Sequence, residues 1–180
     1  MQDALVIIDM QMEMQARIDA GRPHVNPGAP DAVAALAASF RTAGHPVIHV
    51  RHAAGDPTSP LHPDAPGYPP MPCAQAIEGE AVFVKRQSSA FAATTLEQHL
   101  RERALTHLHV VGAVAGFCVA STVRAAADLG FRVSVVRDAV IGFDLPSAGL
   151  EARTIFDVTM ALLEADFAEV VDSGTVIARL

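Results

Sequence analysis

The sequence predicts an α/β fold: three layers, α/β/α, around a mostly parallel, doubly wound sheet of about six strands. Three observations predict it. Short runs of continuous apolarity recur along the chain, as expected of strands covered on both faces. Longer segments of helical period separate them, several opening at Pro, Asp or Thr and closing at Gly. Hydrophobic residues make up 51% of the 180 residues and aromatics only 5%, with no Trp. The core must then be Ala, Val, Leu and Ile, and a chain of this length buries enough of them to need no staples.

The elements follow in order. "ALVII" (4–8) is the first strand, and "PDAVAALAASFRTAG" (30–44) the first helix, with Pro and Asp at its start and Gly at its end. "PVIHV" (46–50) and "AVFV" (81–84) are the next strands. "TTLEQHLRERA" (94–104) reads as a helix with Glu97 three residues after Thr94, a capping-box spacing. "LHVVG" (108–112) and "RVSVV" (132–136) flank the helix "CVASTVRAAADLG" (118–130). The helix "PSAGLEARTIFDVTMALLEADF" (146–167), weakened at its start by Gly149, leads to a last strand, "AEVVD" (168–172). Strand–helix alternation implies parallel strands joined by right-handed crossovers, with ligands bound beyond their carboxyl ends.

One segment breaks the pattern. Residues 53–73 carry seven prolines and neither period. Such a loop is a lid, a binding loop or an oligomer contact, and it follows the second strand on the ligand side. With no composition break, one domain spans residues 1–180.

Charge and cysteine content narrow the function. The formal charge is −7 with no basic block, which argues against nucleic acid or an anionic membrane as partner. Two cysteines, Cys73 and Cys118, make neither a disulfide framework nor a four-ligand zinc site. The opening "MQDALVIIDM" lacks a basic n-region and its apolar run is short, so a cytoplasmic location is expected.

Three reactive residue types stand at strand ends. Asp9 ends the first strand, either starting a turn or placing a carboxylate at the carboxyl edge. Lys85 ends the third, either solvated or part of a site. Cys118 opens a helix, either as a small buried hydrophobe or as a thiol whose pKa the helix dipole lowers. Together they form the set that thiol chemistry needs: nucleophile, base and cation.

With these residues in place, the chain resembles the isochorismatase-like cysteine hydrolases, a Rossmann-like family that includes nicotinamidases, N-carbamoylsarcosine amidohydrolases and ureidoacrylate amidohydrolases. "ALVIIDMQ" (4–11), "VFVKRQSSAF" (82–91), "HVVGAVAGFCVASTVRAAADLGFRVSVVRDA" (109–139) and the closing Ala/Leu-rich helix carry the resemblance. It implies a catalytic triad of Asp9, Lys85 and Cys118, a cis peptide at Ala113–Val114, and an oxyanion hole of the Val114 and Cys118 backbone N–H groups. It also implies a small-molecule substrate and a homo-oligomer, dimer or tetramer. Gln11 and Asp138 match family positions that support fold or site. Gln11, Arg51, His52 and Phe91 are candidates for substrate contact; for Arg51, His52 and Arg86 the competing reading is a solvated strand end.

The chain departs from nicotinamidases where those enzymes keep an Asp-x-His metal pair. The segment reads "HVRHAAGD" (49–56), so no metal and no cofactor are expected, and His49, His52 and His62 lack ligand spacing. The function expected is hydrolysis of a C–N bond in a small amide, carbamoyl or ureido compound. Vinyl-ether hydrolysis is the alternative within enzymes, and a non-catalytic binding or oligomeric role the alternative outside them.

Overall fold

The computed structural model describes residues 2–180. Seven strands form one sheet: β1 (Asp3–Ile8), β2 (His24–Val25), β3 (Val47–His52), β4 (Ala81–Lys85), β5 (His107–Ala113), β6 (Arg132–Phe143) and β7 (Glu169–Val171). The order is β2-β6-β5-β1-β3-β4, with β7 also on β6. Every pairing is parallel except β2 with β6. From β1 the chain builds outward through β3 and β4, then crosses to β5, β6 and β7. That reversal beside β1 is the switch point where α/β sheets bind ligands.

The helices α1 (Met12–Asp19), α2 (Ala29–Thr42), α3 (Leu96–Glu102), α4 (Ala120–Asp128), α5 (Ala152–Asp166) and α6 (Ser173–Ile177) cover both faces. Successive β1 side chains point opposite ways. Ala4, Val6 and Ile8 join Leu96, Val123 and Phe156 in one core, while Leu5 and Ile7 join Leu36, Phe40 and Val176 in the other. That is why "ALVII" shows no alternation. No helix among the described residues is long and apolar enough to cross a membrane.

Several elements differ from expectation. The second helix of the prediction is shorter, because Thr94 turns its hydroxyl back to Ala90 O (2.6 Å) and the helix opens at Leu96. The last long helix begins at Ala152 rather than 146, since Pro146–Ala148 form a 3-10 turn closed by Gly149 at φ 66°. β6 runs on to Phe143 past a register shift, with Val110 opposite Val135 but Gly112 opposite Val140. Asp138, in that shift, accepts hydrogen bonds from the Ser173 N–H and hydroxyl and so holds the start of α6.

Gly112 sets the closest approach in the sheet. Its φ is 118°, and a Cβ there would lie 2.0 Å from Ile8 O. Only glycine lets β5 press against β1 at this point, just before both strands deliver their polar residues to the carboxyl edge.

Candidate active site

Three strand ends converge beyond the carboxyl edge. Asp9 follows β1 with φ 47°, a left-handed conformation that Asp tolerates better than most residues, and its N–H donates to Val50 O at 2.9 Å. Its side chain is thereby turned inward, and the residue is 4% exposed. Lys85 ends the edge strand β4 and reaches back across the end of β3. It is 1% exposed, so its ammonium must find partners inside. Nζ lies 2.7 Å from Asp9 Oδ2, 3.2 Å from Cys118 Sγ and 3.2 Å from Gln87 O. His52 pairs with Lys85 in the β3–β4 register, and its Nδ1 stands 3.3 Å from the same Nζ.

Cys118 is not at a regular helix start. Residues Ala115–Val119 form a π turn that runs into α4, following a cis peptide between Ala113 and Val114. Within the turn the Phe117 and Val119 amides both donate to Val114 O, at 3.0 and 3.3 Å. The intervening Cys118 amide is not among the donors to that carbonyl. Gly116 allows α5 to pack close, since a Cβ there would meet Ile155 Cγ2 at 3.3 Å.

The electrostatics correct one expectation. Burial first, and the nearby Asp9 carboxylate second, push the Cys118 thiol above its usual pKa, against the pull of Lys85. A helix dipole would act the other way; it loses because the thiol is largely desolvated beside an anion. Burial likewise raises Asp9, with Lys85 opposing. Asp9 Oδ1 is buried without a hydrogen-bond partner, which leaves it free to take a proton. Burial, then Lys85, lowers His52, so its ring is neutral beside the ammonium.

The other candidates fall elsewhere. Gln11 is fully buried; Nε2 donates to His52 O (3.1 Å) and Tyr68 O (2.7 Å), and Oε1 accepts from His52 N (2.8 Å). It ties the Pro-rich segment to β3, with both amide protons committed and no exposed surface to offer a substrate. Arg51 is one residue from His52 on β3 and so points to the opposite face, where it acts on His49. Phe91 stacks on Phe131 at 5.9 Å and is a packing residue. The sequence did not mark Gln87, whose carbonyl accepts from Lys85, or Phe117, 56% exposed next to Cys118; the Ser88 and Ser121 hydroxyls, nearby in the chain, lie 2.9 Å apart.

The loop after β3 does lie at this edge. Met10 O accepts from Met71 N, Pro69 O from Met12 N and Gly67 O from Glu13 N. A hollow of about 630 Å³ opens between this loop and α1, lined by residues such as Met12, Ala16, Pro57 and Pro66; it does not include Asp9, Lys85 or Cys118. His62 sits within the loop, 3.7 Å from Asp64, and His49 faces Glu80 at 2.8 Å. Those two histidines and His52 thus do not meet.

The isochorismatase domain model matches residues 3–173. The chain belongs to the isochorismatase family. It is similar to the isochorismatase family protein YrdC of Bacillus subtilis, 27% identical over 177 residues covering 97% of this chain and 94% of that protein. An isochorismatase-family protein from Chromobacterium violaceum superposes with a TM-score of 0.92 at 32% identity, over 98% of this chain and 92% of that one. A streptothricin hydrolase from Streptomyces noursei is 35% identical over 118 residues, 66% of this chain and 42% of that enzyme. The protein is an isochorismatase-family hydrolase.

Proposed function

We propose that this isochorismatase-family hydrolase is a cysteine hydrolase that cleaves a C–N bond of a small amide, carbamoyl or ureido compound through a thioester. The observation that carries this reading is the buried Lys85 Nζ, which lies 2.7 Å from Asp9 Oδ2 and 3.2 Å from Cys118 Sγ. The similarity to a streptothricin hydrolase supports a hydrolytic role.

The geometry supports the following steps. With both Asp9 and Cys118 raised by burial, the resting thiol is protonated and the carboxylate is a stronger base than a surface Asp. Sγ attacks the carbonyl carbon as its proton passes to Asp9. The C–S bond forms, and the carbonyl π electrons move to oxygen. The Val114 and Cys118 amides are the donors proposed for that oxyanion. Collapse breaks the C–N bond, and Asp9 returns the proton to the leaving nitrogen. Water then attacks the thioester, losing its proton to Asp9, and the acid departs as the thiol is restored. Lys85 holds the ion pair in register throughout, and His52 limits where Lys85 can move.

The test is amine or ammonia release across a panel of small amides, carbamoyl compounds and ureides, with mass spectrometry of the quenched enzyme. Cys118→Ala is expected to lower turnover by roughly 10³-fold or more, and the wild type to carry an acyl group on Cys118. Retention of turnover in Cys118→Ala, or turnover of a vinyl ether with no adduct, would overturn the reading.

A further inference from the structure

At the other end of β1 and β5 lies a second polar cluster. Asp3 pairs with His107 across the two strands, and His109, two residues on, shares the His107 face. Asp3 Oδ1 is 2.8 Å from His107 Nδ1 and 3.8 Å from His109 Nε2. One ligand atom from each of the three lies within 4.8 Å of the others. We propose that Asp3, His107 and His109 form a binding site for one divalent transition-metal ion of the zinc class, at the amino edge of the sheet.

The decisive group is His109. It is 5% exposed, and neither ring nitrogen has a hydrogen-bond partner. Leaving buried polar atoms unpaired is costly, so protein interiors rarely do it. A charge-assisted His107–Asp3 pair accounts for His107 alone and leaves His109 unexplained. An ion held by Asp3 Oδ1, His107 Nδ1 and His109 Nε2 gives the His109 ring a partner at Nε2, the nitrogen turned toward Asp3. Tetrahedral zinc with bonds of about 2.0–2.1 Å spaces its donors about 3.4 Å apart, and the observed 2.8 and 3.8 Å bracket that value.

The surroundings fit as well. His107 Nε2 lies 2.8 Å from the hydroxyl of Ser134, which is fully buried, the kind of outer hydrogen bond that fixes a ligand ring. Phe40 packs edge-on against His109 at 5.3 Å and holds it in place. Burial, then His107, lowers His109 to about 4, so the ring is in the neutral form that a metal requires. The Asp3 side chain is 27% exposed, leaving one side open for entry and for a water ligand. Arg132 opposes a cation here, but it is held by Glu169 at 3.3 Å. Two imidazoles and one carboxylate favour zinc, cobalt, nickel or copper over magnesium or calcium.

The experiment takes the full chain, strips it with a chelator, and titrates Zn²⁺ by calorimetry and Co²⁺ by visible absorption. One ion per chain is expected, with the intense d–d bands of a tetrahedral cobalt site and a rise in melting temperature on adding zinc. Asp3→Asn and His109→Phe should each weaken binding by at least about tenfold, as loss of groups around a metal does, and abolish the thermal shift. Circular dichroism confirms that each variant folds, and the cobalt spectrum of the wild type stands without any variant. Binding should persist in Cys118→Ala. The proposal is overturned by absence of stoichiometric binding, by binding unchanged in both variants, or by binding lost in Cys118→Ala.

Discussion

At the carboxyl end of β1, Asp9 meets a lysine at 2.7 Å; at the amino end of the same strand, Asp3 meets a histidine at 2.8 Å. Both clusters draw on β1 and β5, the first adding Lys85 from β4 and His52 from β3, and both are largely buried. They are built differently. At the carboxyl edge each group comes from a separate strand end, so the chain can turn a side chain inward where the ladder stops, as the φ of 47° at Asp9 does. A full cation balances a full anion, and the remaining contacts of Lys85 go to atoms that can accept. At the amino edge the groups stand inside the ladder itself, at positions fixed by register. One carboxylate there faces two rings that burial keeps neutral, and two ring nitrogens go unpaired. The first cluster sets a matched ion pair beside a thiol, the arrangement that the proposed mechanism uses to pass the thiol proton to Asp9. The second has donors waiting for a cation.

The largest effect should come from breaking the matched pair. Removing one partner of a buried ion pair typically costs about 3–5 kcal/mol, whereas replacing both with apolar groups can be close to neutral. Lys85→Met strands the Asp9 carboxylate, and Asp9→Leu strands the ammonium. Each single variant should lose a few kcal/mol by chemical denaturation, and the double variant should regain most of it. All three should lose turnover to a similar degree, because residues that act as a unit are not additive. Stability losses that simply add in the double variant would show that the two side chains do not depend on each other.

The thiols give a second, smaller test. Burial raises Cys73 to about 11, and burial with the Asp9 charge raises Cys118. Since the thiolate is the form that reacts, alkylation of Cys118 by iodoacetamide should climb with pH beyond 9 rather than level off near neutrality. Asp9→Asn removes the repelling charge and should shift that climb to lower pH. The measurement is the rate of adduct formation by peptide mass spectrometry, in Cys73→Ala to keep the signal single. A plateau near pH 7 in the parent would mean that Lys85, not burial, dominates the thiol.

Much of the carboxyl edge was legible in the sequence, because Asp9, Lys85 and Cys118 each close or follow an apolar run, and strand ends are what the period marks best. The amino-edge cluster was not, since Asp3, His107 and His109 sit at strand starts, where a histidine inside "HLHVV" reads only as a break in apolarity. Short or polar elements also escaped. β2 has two residues, too few for any period, and α1 buries only Met14. Gln11 and Arg51 were placed at the right end of the sheet but not on the right partners. A strand's alternation sends Arg51 away from His52, and that depends on register rather than position. The direction of the Cys118 shift needed the depth of burial, which no spacing encodes.

A last and smaller effect concerns what holds the amino edge together near β4. Arg41 Nε lies 2.7 Å from Glu80 Oε1, and His49 Nε2 2.8 Å from Oε2. Ile77 N donates to that same Oε2 at 2.9 Å. Burial alone would raise Glu80, but these hydrogen bonds, Arg41 first, outweigh it and bring the carboxyl down to about 2. The sign follows from the lowered pKa. The folded state binds the proton less readily than the unfolded chain, so the stabilisation is full above about 4.5 and is lost as pH falls toward 2. Partial exposure screens the pair, so the contribution expected is about 1–2 kcal/mol, in the range of one charge-assisted hydrogen bond. His49 is lowered by burial and adds its own loss below its usual pKa, so the comparison must be a difference. Unfolding free energy is measured against pH for the parent and for Glu80→Gln, which keeps shape but not charge. The gap between the two curves should change through the histidine range, because Glu80 also raises His49, and close as pH drops from about 4.5 toward 2. A gap that stays open at pH 2.5 would assign the loss to packing rather than charge, and would remove the reason for treating this corner as an electrostatic anchor.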